Sequence, residues 1–296
     1  MDLQVYNRQN KTVETEHIVG KKYLQWLYYK TSGNFFLERI VKRKLASKFY
    51  GVLKNRKKSK KKIRDFIEEN KIAEEEFLQK VSEYKNFNEF FYRKLKPEAR
   101  IINPEIDVLS SPADGRVFIY ENIETDKIVE IKGMAFNLAQ LVGSEESISE
   151  YNKGTMIIVR LNPTDYHRFH FPDSGIPGKT KEIKGAYYSV NTGVLDRIDN
   201  IYLKNKRTVT EFNTENFGKA LYMEIGATFV GTIVQTFESG KKVVKGEEKG
   251  YFKFGGSTVI IFLKKDTFTP DEDIMEYTRK KIETLVKMGE SLGKAK

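Results

Sequence analysis

The chain of 296 residues contains no cysteine, which excludes disulfides, thiolate nucleophiles and cysteine-ligated zinc or iron–sulfur centres. No apolar run approaches the roughly 18 residues that a membrane-spanning helix needs. The opening residues "MDLQVYNRQNKTVETEH" lack the apolar core of a signal peptide. These absences lead to the expectation of a cytoplasmic protein that does not cross a membrane. Histidine is nearly absent too, with only His17, His167 and His170. What is present is ordinary globular material, 39% hydrophobic and 12% aromatic, enough to offset the entropy of folding.

Acidic residues are scarce at one end only. Residues 1–64 hold 18 Lys or Arg against 4 Asp or Glu, more than the whole net charge of +11, so the remainder is slightly acidic. From Lys21 to about Lys80, apolar residues recur at three- and four-residue spacings, as in the stripe Phe36, Ile40, Leu45, Phe49 and Leu53, and predict helices. The run "RKKSKKK" from Arg56 to Lys62 separates two of them. Lysines beside Trp26, Tyr28, Tyr29, Phe35 and Phe36 suit an anionic membrane surface. A solvated loop or nucleic acid would account for the same charges, and composition does not separate the three.

Past Pro97 and Pro104 the pattern changes to short strands with glycine turns, among them "GRVFIY", "GTMIIVRLN", "ALYMEIGATFVGTIVQTF" and "STVIIFL". The fold class predicted is α+β: a helical, basic region over 1–105, then a mainly antiparallel β-rich domain over 106–296. The strand "TVIIFL" is expected to be paired in the core, and "DEDIMEYTRKKIE" to form a helix near the end.

Three polar sites stand out on this scaffold. "YFKFGGSTVIIFL" interrupts a strand-forming run with Gly255, Gly256, Ser257 and Thr258; by itself, a glycine pair between strands reads as a hairpin turn. "NPTDYHRFHFPDSG" holds His167 and His170, whose near-neutral pKa suits proton transfer. A metal site would need further ligands, and no third histidine is near, so none is expected. "SSPADGRV" carries Asp114, a turn residue in isolation and a candidate partner for an imidazole. Hydroxyl, imidazole and carboxylate are the parts of a nucleophile triad, although Gly-Gly-Ser-Thr lacks the elbow of an α/β-hydrolase.

In order along the chain, "FFYRKLKPEAR", "SPADGRV", "NPTDYHRFHFPDSG", "GAYYSVN", "IGATFVGTI", "KGEEKGYFKFGGST" and "VKMGESLG" resemble the phosphatidylserine decarboxylase family. The resemblance runs from about Phe90 to the C-terminus. It implies self-cleavage between Gly256 and Ser257, giving a large chain 1–256 and a small chain 257–296. Ser257 would become a covalent pyruvoyl group, the only cofactor, which forms a Schiff base with phosphatidylserine. It further implies a processing triad of Asp114, His170 and Ser257, with His170 as base. His167 would position the substrate carboxylate or return a proton during decarboxylation, and Thr258 would help to hold an oxyanion. The partners implied are phosphatidylserine in an anionic membrane and the two cleaved chains as a heterodimer, with a homodimer of these left open and no nucleic acid. The location implied is the cell membrane, peripheral, on the cytoplasmic side. Two departures from the family pattern are Gly255, where leucine is usual, and Asn205-Lys206-Arg207, where Asn-Glu-Arg is usual. A pyruvoyl enzyme for a soluble amino acid and a noncatalytic binder of anionic lipid or nucleic acid, with the glycine pair as a plain hairpin, are the competing readings.

Overall fold

The computed structural model describes residues 3–16, 19, 55–126, 128–131, 134–186, 201–226, 232–253 and 257–296. The aromatic and basic stretch around Trp26, the stripe from Phe36 to Leu53, and the pair Gly255 and Gly256 lie outside the described residues. Among the described residues no helix is long and apolar enough to cross a membrane.

The chain is α+β. It opens with strands β1 (Gln4–Asn7) and β2 (Thr12–Thr15), and helices α1 (Lys62–Asn70) and α2 (Phe87–Phe91) follow the basic stretch. Ile63 and Ile67 of α1 are buried one helical turn apart. They join Phe77, Tyr84, Phe87, Phe90 and Phe91 in an aromatic cluster of their own. The side chain of Asn86 caps α2 by accepting from the Glu89 amide at 2.9 Å, which fixes where Phe91 points.

The β-rich part then runs β3 (Val108–Ser110), β4 (Gly115–Glu121), β5 (Ile128–Ile131), β6 (Met134–Asn137), α3 (Leu138–Val142), α4 (Glu145–Ser149), β7 (Thr155–Leu161), β8 (Arg168–His170) and β9 (Gly175–Ile183). It continues α5 (Ile201–Lys204), β10 (Arg207–Thr214), β11 (Lys219–Gly226), β12 (Ile233–Gln235), β13 (Glu248–Phe252) and β14 (Ser257–Leu263). It closes with β15 (Phe268–Pro270), α6 (Glu272–Arg279), β16 (Glu283–Val286) and β17 (Ser291–Ala295).

Nine strands form the main sheet in the order β2-β1-β16-β4-β7-β14-β11-β10-β9. Its pairings are antiparallel except that of β1 with β16. Every residue of β7 and β14 is buried. Apart from Thr155 and Arg160 of β7 and Ser257 and Thr258 of β14, their sequences are apolar throughout because both faces of the sheet are covered. Ile260 and Phe262 face a cluster with α3, α4 and Tyr202. Val259 and Ile261 face the other cluster, which holds Phe169 of β8, Phe252 of β13 and Ile274 of α6.

Two features differ from the pattern read in the sequence. Residues 4–15, in the part assigned to helix and membrane association, are strands at the edge of the main sheet, with Val5 and Tyr6 buried. Their runs of four residues are too short to register against the helical periodicity that follows. The glycine pair does not link hairpin strands either: β13 pairs with β12 and β8, whereas β14 pairs with β11 and β7. The strands flanking Gly255 and Gly256 therefore belong to different sheets.

Candidate active site

Ser257 is the first residue of β14 and is held from both sides, opposite Leu161 of β7 and Gly226 of β11. Side chains alternate along a strand, so its hydroxyl shares the face of Val259 and Ile261, towards the small sheet of β12, β13 and β8. Thr258 shares the opposite face with Ile260 and neighbours Tyr202. The hydroxyls of Ser257 and Thr258 thus lie on opposite faces of the sheet. Ser257 is 0% exposed, and its Oγ has no hydrogen-bond partner among the described residues. A buried hydroxyl left so is costly and calls for a functional explanation.

His170 ends β8. Its amide donates to the carbonyl of Pro112 at 2.8 Å, which brings it beside the loop that carries Asp114. Its Nδ1 lies 2.9 Å from the carbonyl of Gly246. A carbonyl can only accept, so Nδ1 carries the proton and the neutral ring presents the lone pair of Nε2. That Nε2 is buried and has no hydrogen-bond partner among the described residues. Burial depresses the His170 pKa, against the Gly246 hydrogen bond and the charges of Glu248 and Asp114. The ring is therefore neutral at pH 7 and able to take a proton.

Asp114 reaches His170 through its field and not through a hydrogen bond. Its carboxylate accepts from Arg100 Nε at 2.8 Å and Nη2 at 2.5 Å, and from the Met288 amide at 2.9 Å. Burial disfavours the charge on Arg100, but its bonds to Asp114 and Glu76 overcome this and raise its pKa. His167, in the turn before β8, is fully buried with its ring centroid 3.9 Å from that of Phe91. Its Nδ1 donates to the Asp165 carbonyl at 2.9 Å, leaving Nε2 as the acceptor atom. Its own carbonyl accepts from the Phe252 amide at 2.9 Å, which ties it to the chain five residues before Ser257. The structure thus gathers Asp114 with His170 and links His167 to the approach to Ser257, but hydrogen-bonds the serine to neither imidazole.

Asn205-Lys206-Arg207 supports the far side of the serine. Asn205 Nδ2 donates at 2.9 Å to the carbonyl of Gly226, the residue opposite Ser257. Arg207 donates to the carbonyls of Leu141, Leu203, Asn205 and Gln140, and burial pulls its pKa down to about 10. Lys206 pairs with Glu182 at 2.9 Å. Sequence inspection passed over Arg100, Asp165 and Lys249. All three lie in motifs already noted, but each has polar or charged neighbours along the chain, so nothing local marks them as side chains paired inside the fold.

The sequence model of the family described as phosphatidylserine decarboxylase matches residues 87–294. A phosphatidylserine decarboxylase proenzyme of Clostridium perfringens is 48% identical over 98% of this chain and 99% of its own. One of Clostridium botulinum is 47% identical over 98% of each chain. One of Clostridium novyi is 45% identical over 98% of this chain and 99% of its own. The chain is a decarboxylase, one of the carboxy-lyases. It belongs to the phosphatidylserine decarboxylase family.

Proposed function

We propose that the chain is a precursor that cuts itself between Gly256 and Ser257 and then converts phosphatidylserine to phosphatidylethanolamine and CO2. The observation that carries this reading is the fully buried hydroxyl of Ser257, which has no hydrogen-bond partner among the described residues, in a chain whose relatives are called proenzymes.

The first step is attack of Ser257 Oγ on the carbonyl carbon of Gly256. The C–O bond forms, the C–N bond breaks, and the hydroxyl proton passes by way of a base to the freed amine, leaving an ester. His170 is assigned as that base because its Nδ1–H is committed to Gly246 and its Nε2 is the acceptor. Asp114, pinned by Arg100 and the Met288 amide, supplies a fixed negative charge that steadies the imidazolium. Removal of the Ser257 α-proton then expels Gly256 as a carboxylate. Water replaces the nitrogen of the resulting dehydroalanine, ammonia leaves, and the residue ends as a pyruvoyl group.

Ser257 fits that outcome, since it begins a strand fastened along its length by β7 and β11. The ketone so formed would take up the substrate amine and draw electrons from the bond to CO2, as pyridoxal phosphate does elsewhere. His167 is assigned to the substrate carboxylate or to proton return during decarboxylation. The division into a membrane-associating part, 1–105, and a catalytic part, 106–296, belongs to the same reading. So do peripheral attachment to the cytoplasmic face of an anionic membrane, a heterodimer of the two chains, and pairing of such units as a homodimer.

Intact-mass measurement of fresh protein beside Ser257→Ala tests the cut. Two chains divided after Gly256 are expected, the smaller lighter than a serine-started peptide by about one ammonia. A single uncut chain in both samples would refute self-processing. His170→Ala should slow the cut by about 10²–10⁴-fold. His167→Ala should be cut normally and release no CO2.

A further inference from the structure

A cluster of buried charges lies beside the turn that carries His167. Arg160 of β7 is opposite Arg116 of β4 and Thr258 of β14. Its guanidinium donates to both carboxylate oxygens of Glu283, at 3.0 and 2.6 Å, and to Glu16 Oε2 at 2.7 Å. The other oxygen of Glu16 is 2.6 Å from Arg116 Nε and accepts from Asn162 Nδ2 at 3.2 Å. Arg116 in turn pairs with the carboxylate of Asp165, which accepts the Asn162 amide at 2.6 Å. The carbonyl of that same Asp165 holds Nδ1 of His167. An unbroken series of contacts therefore leads from Glu16, just after β2, to the imidazole.

Glu16 is one of only 4 acids among the first 64 residues, yet its side chain is 2% exposed. Burial opposes its charge, but Arg160 and Arg116 hold its pKa below the usual carboxylate range. Buried ion pairs seldom stabilise a fold more than apolar packing would, so a cluster of two arginines and three carboxylates needs another reason to be there. Docking of the N-terminal strands does not supply it. Those strands are fixed independently by the ladder of β1 with β16, by Tyr6 stacked on Tyr277 at 3.8 Å, and by Arg8 bound to Asp271 at 2.9 Å and Asp273 at 2.7 Å. What the cluster does hold is the turn 162–167, gripped at Asn162 by Glu16 and at Asp165 by Arg116.

We propose that Glu16 is a positioning residue for His167, acting through Arg116 and Asp165, so that the N-terminal strands belong to the decarboxylation apparatus. The proposal rests on the assignment of His167 to the decarboxylation step. Misplacement of a reacting group by even an ångström can cost about 100-fold in rate.

The test uses the full-length protein with Glu16→Gln, which keeps the volume and removes the charge. Cleavage after Gly256, followed by intact mass, should match the parent. The kcat on phosphatidylserine vesicles should fall roughly 10- to 100-fold, with KM within about twofold of the parent. Arg116→Lys, which keeps the charge but cannot bridge both carboxylates, should reproduce that selective loss and guards against misfolding of the first variant. A parent-like kcat for Glu16→Gln, a loss confined to KM, or an equal loss of cleavage and CO2 release would each overturn the proposal. His167→Ala run in parallel separates the two failures. Full CO2 release there would remove the assignment of His167 and the proposal with it, whereas no CO2 release beside a fully active Glu16→Gln would remove the proposal alone.

Discussion

Replacing Lys249 by Met should destabilise the uncut precursor by about 3–5 kcal/mol, the usual cost of breaking a buried ion pair from one side. Lys249 and Glu224 are each 0% exposed. All three ammonium protons are used, to Glu224 Oε1 at 2.6 Å, Thr210 Oγ1 at 3.0 Å and Gln235 Oε1 at 2.9 Å. The charge also sits 4.7 Å from the ring centroid of Tyr222 and 4.9 Å from that of Phe237. Methionine fills the space but leaves the Glu224 carboxylate, among the described residues, with Thr208 and Gln235, at 2.5 and 3.2 Å. An exposed pair would contribute no more than about 1 kcal/mol, so burial decides the size of the effect. In a chain of this length the loss corresponds to roughly 5–8 °C in melting temperature. The assay is thermal and guanidinium unfolding in a Ser257→Ala background, which keeps one covalent chain. The double variant Lys249→Met with Glu224→Met should recover most of the loss, because it removes the stranded charge. A Lys249→Met precursor within about 1 kcal/mol of its parent, or a double variant as unstable as the sum of the singles, would refute the reasoning.

Three further outcomes are expected. Burial lowers the His170 pKa from 6.5, with Arg168 adding to the fall and Gly246, Glu248 and Asp114 opposing it. The unfolded chain therefore binds the proton first, so the stability tied to the neutral ring is complete above pH 6.5 and is lost as pH falls through the folded pKa. The cleavage rate should likewise hold level above pH 6.5 and decline below it, and half the rate lost at or above neutral pH would contradict this. Gly250→Ala would place a methyl 2.1 Å from the Val234 carbonyl oxygen and 2.7 Å from the Phe169 ring. It should cost about 1–3 kcal/mol and slow the appearance of the small chain, and a parent-like melting curve would show that the strands give way. Finally, the end with 18 basic and 4 acidic residues should bind anionic vesicles in co-sedimentation and release them as salt rises; indifference to salt and lipid charge would count against peripheral attachment.

The parts legible in the sequence were those written locally. The unbroken run "TVIIFL" announced a strand covered on both faces, and β14 lies in the middle of the main sheet. The stretch "DEDIMEYTRKKIE", expected to be a helix, holds α6 over Glu272–Arg279. Partner choice was not legible, because alternation states which face a residue takes and not which strand lies beside it. Hence the glycine pair looked like a hairpin turn although β13 and β14 join different sheets. Asp114 could be singled out, but its hold by Arg100 depends on a loop closing over it, which no spacing records. Glu16 carried no signal at all: an acid in a basic stretch reads as solvated until the arginines of β4 and β7 are seen around it.

The central place of β14 would change what folding means for this protein under the proposed cut before Ser257. As a precursor, the chain can unfold and refold as one molecule. Under the proposed cleavage, β14 would stay between β7 and β11 as part of a separate polypeptide, held by the pairing on both edges and the packing on both faces. Unfolding then releases two molecules, and return becomes a second-order encounter that weakens with dilution. The mature protein would persist because its small chain escapes slowly, and its lifetime would be governed by a rate and not by an equilibrium. On the proposed scheme folding would have to come before cutting, since the cut form at cellular dilution would have no comparable way back.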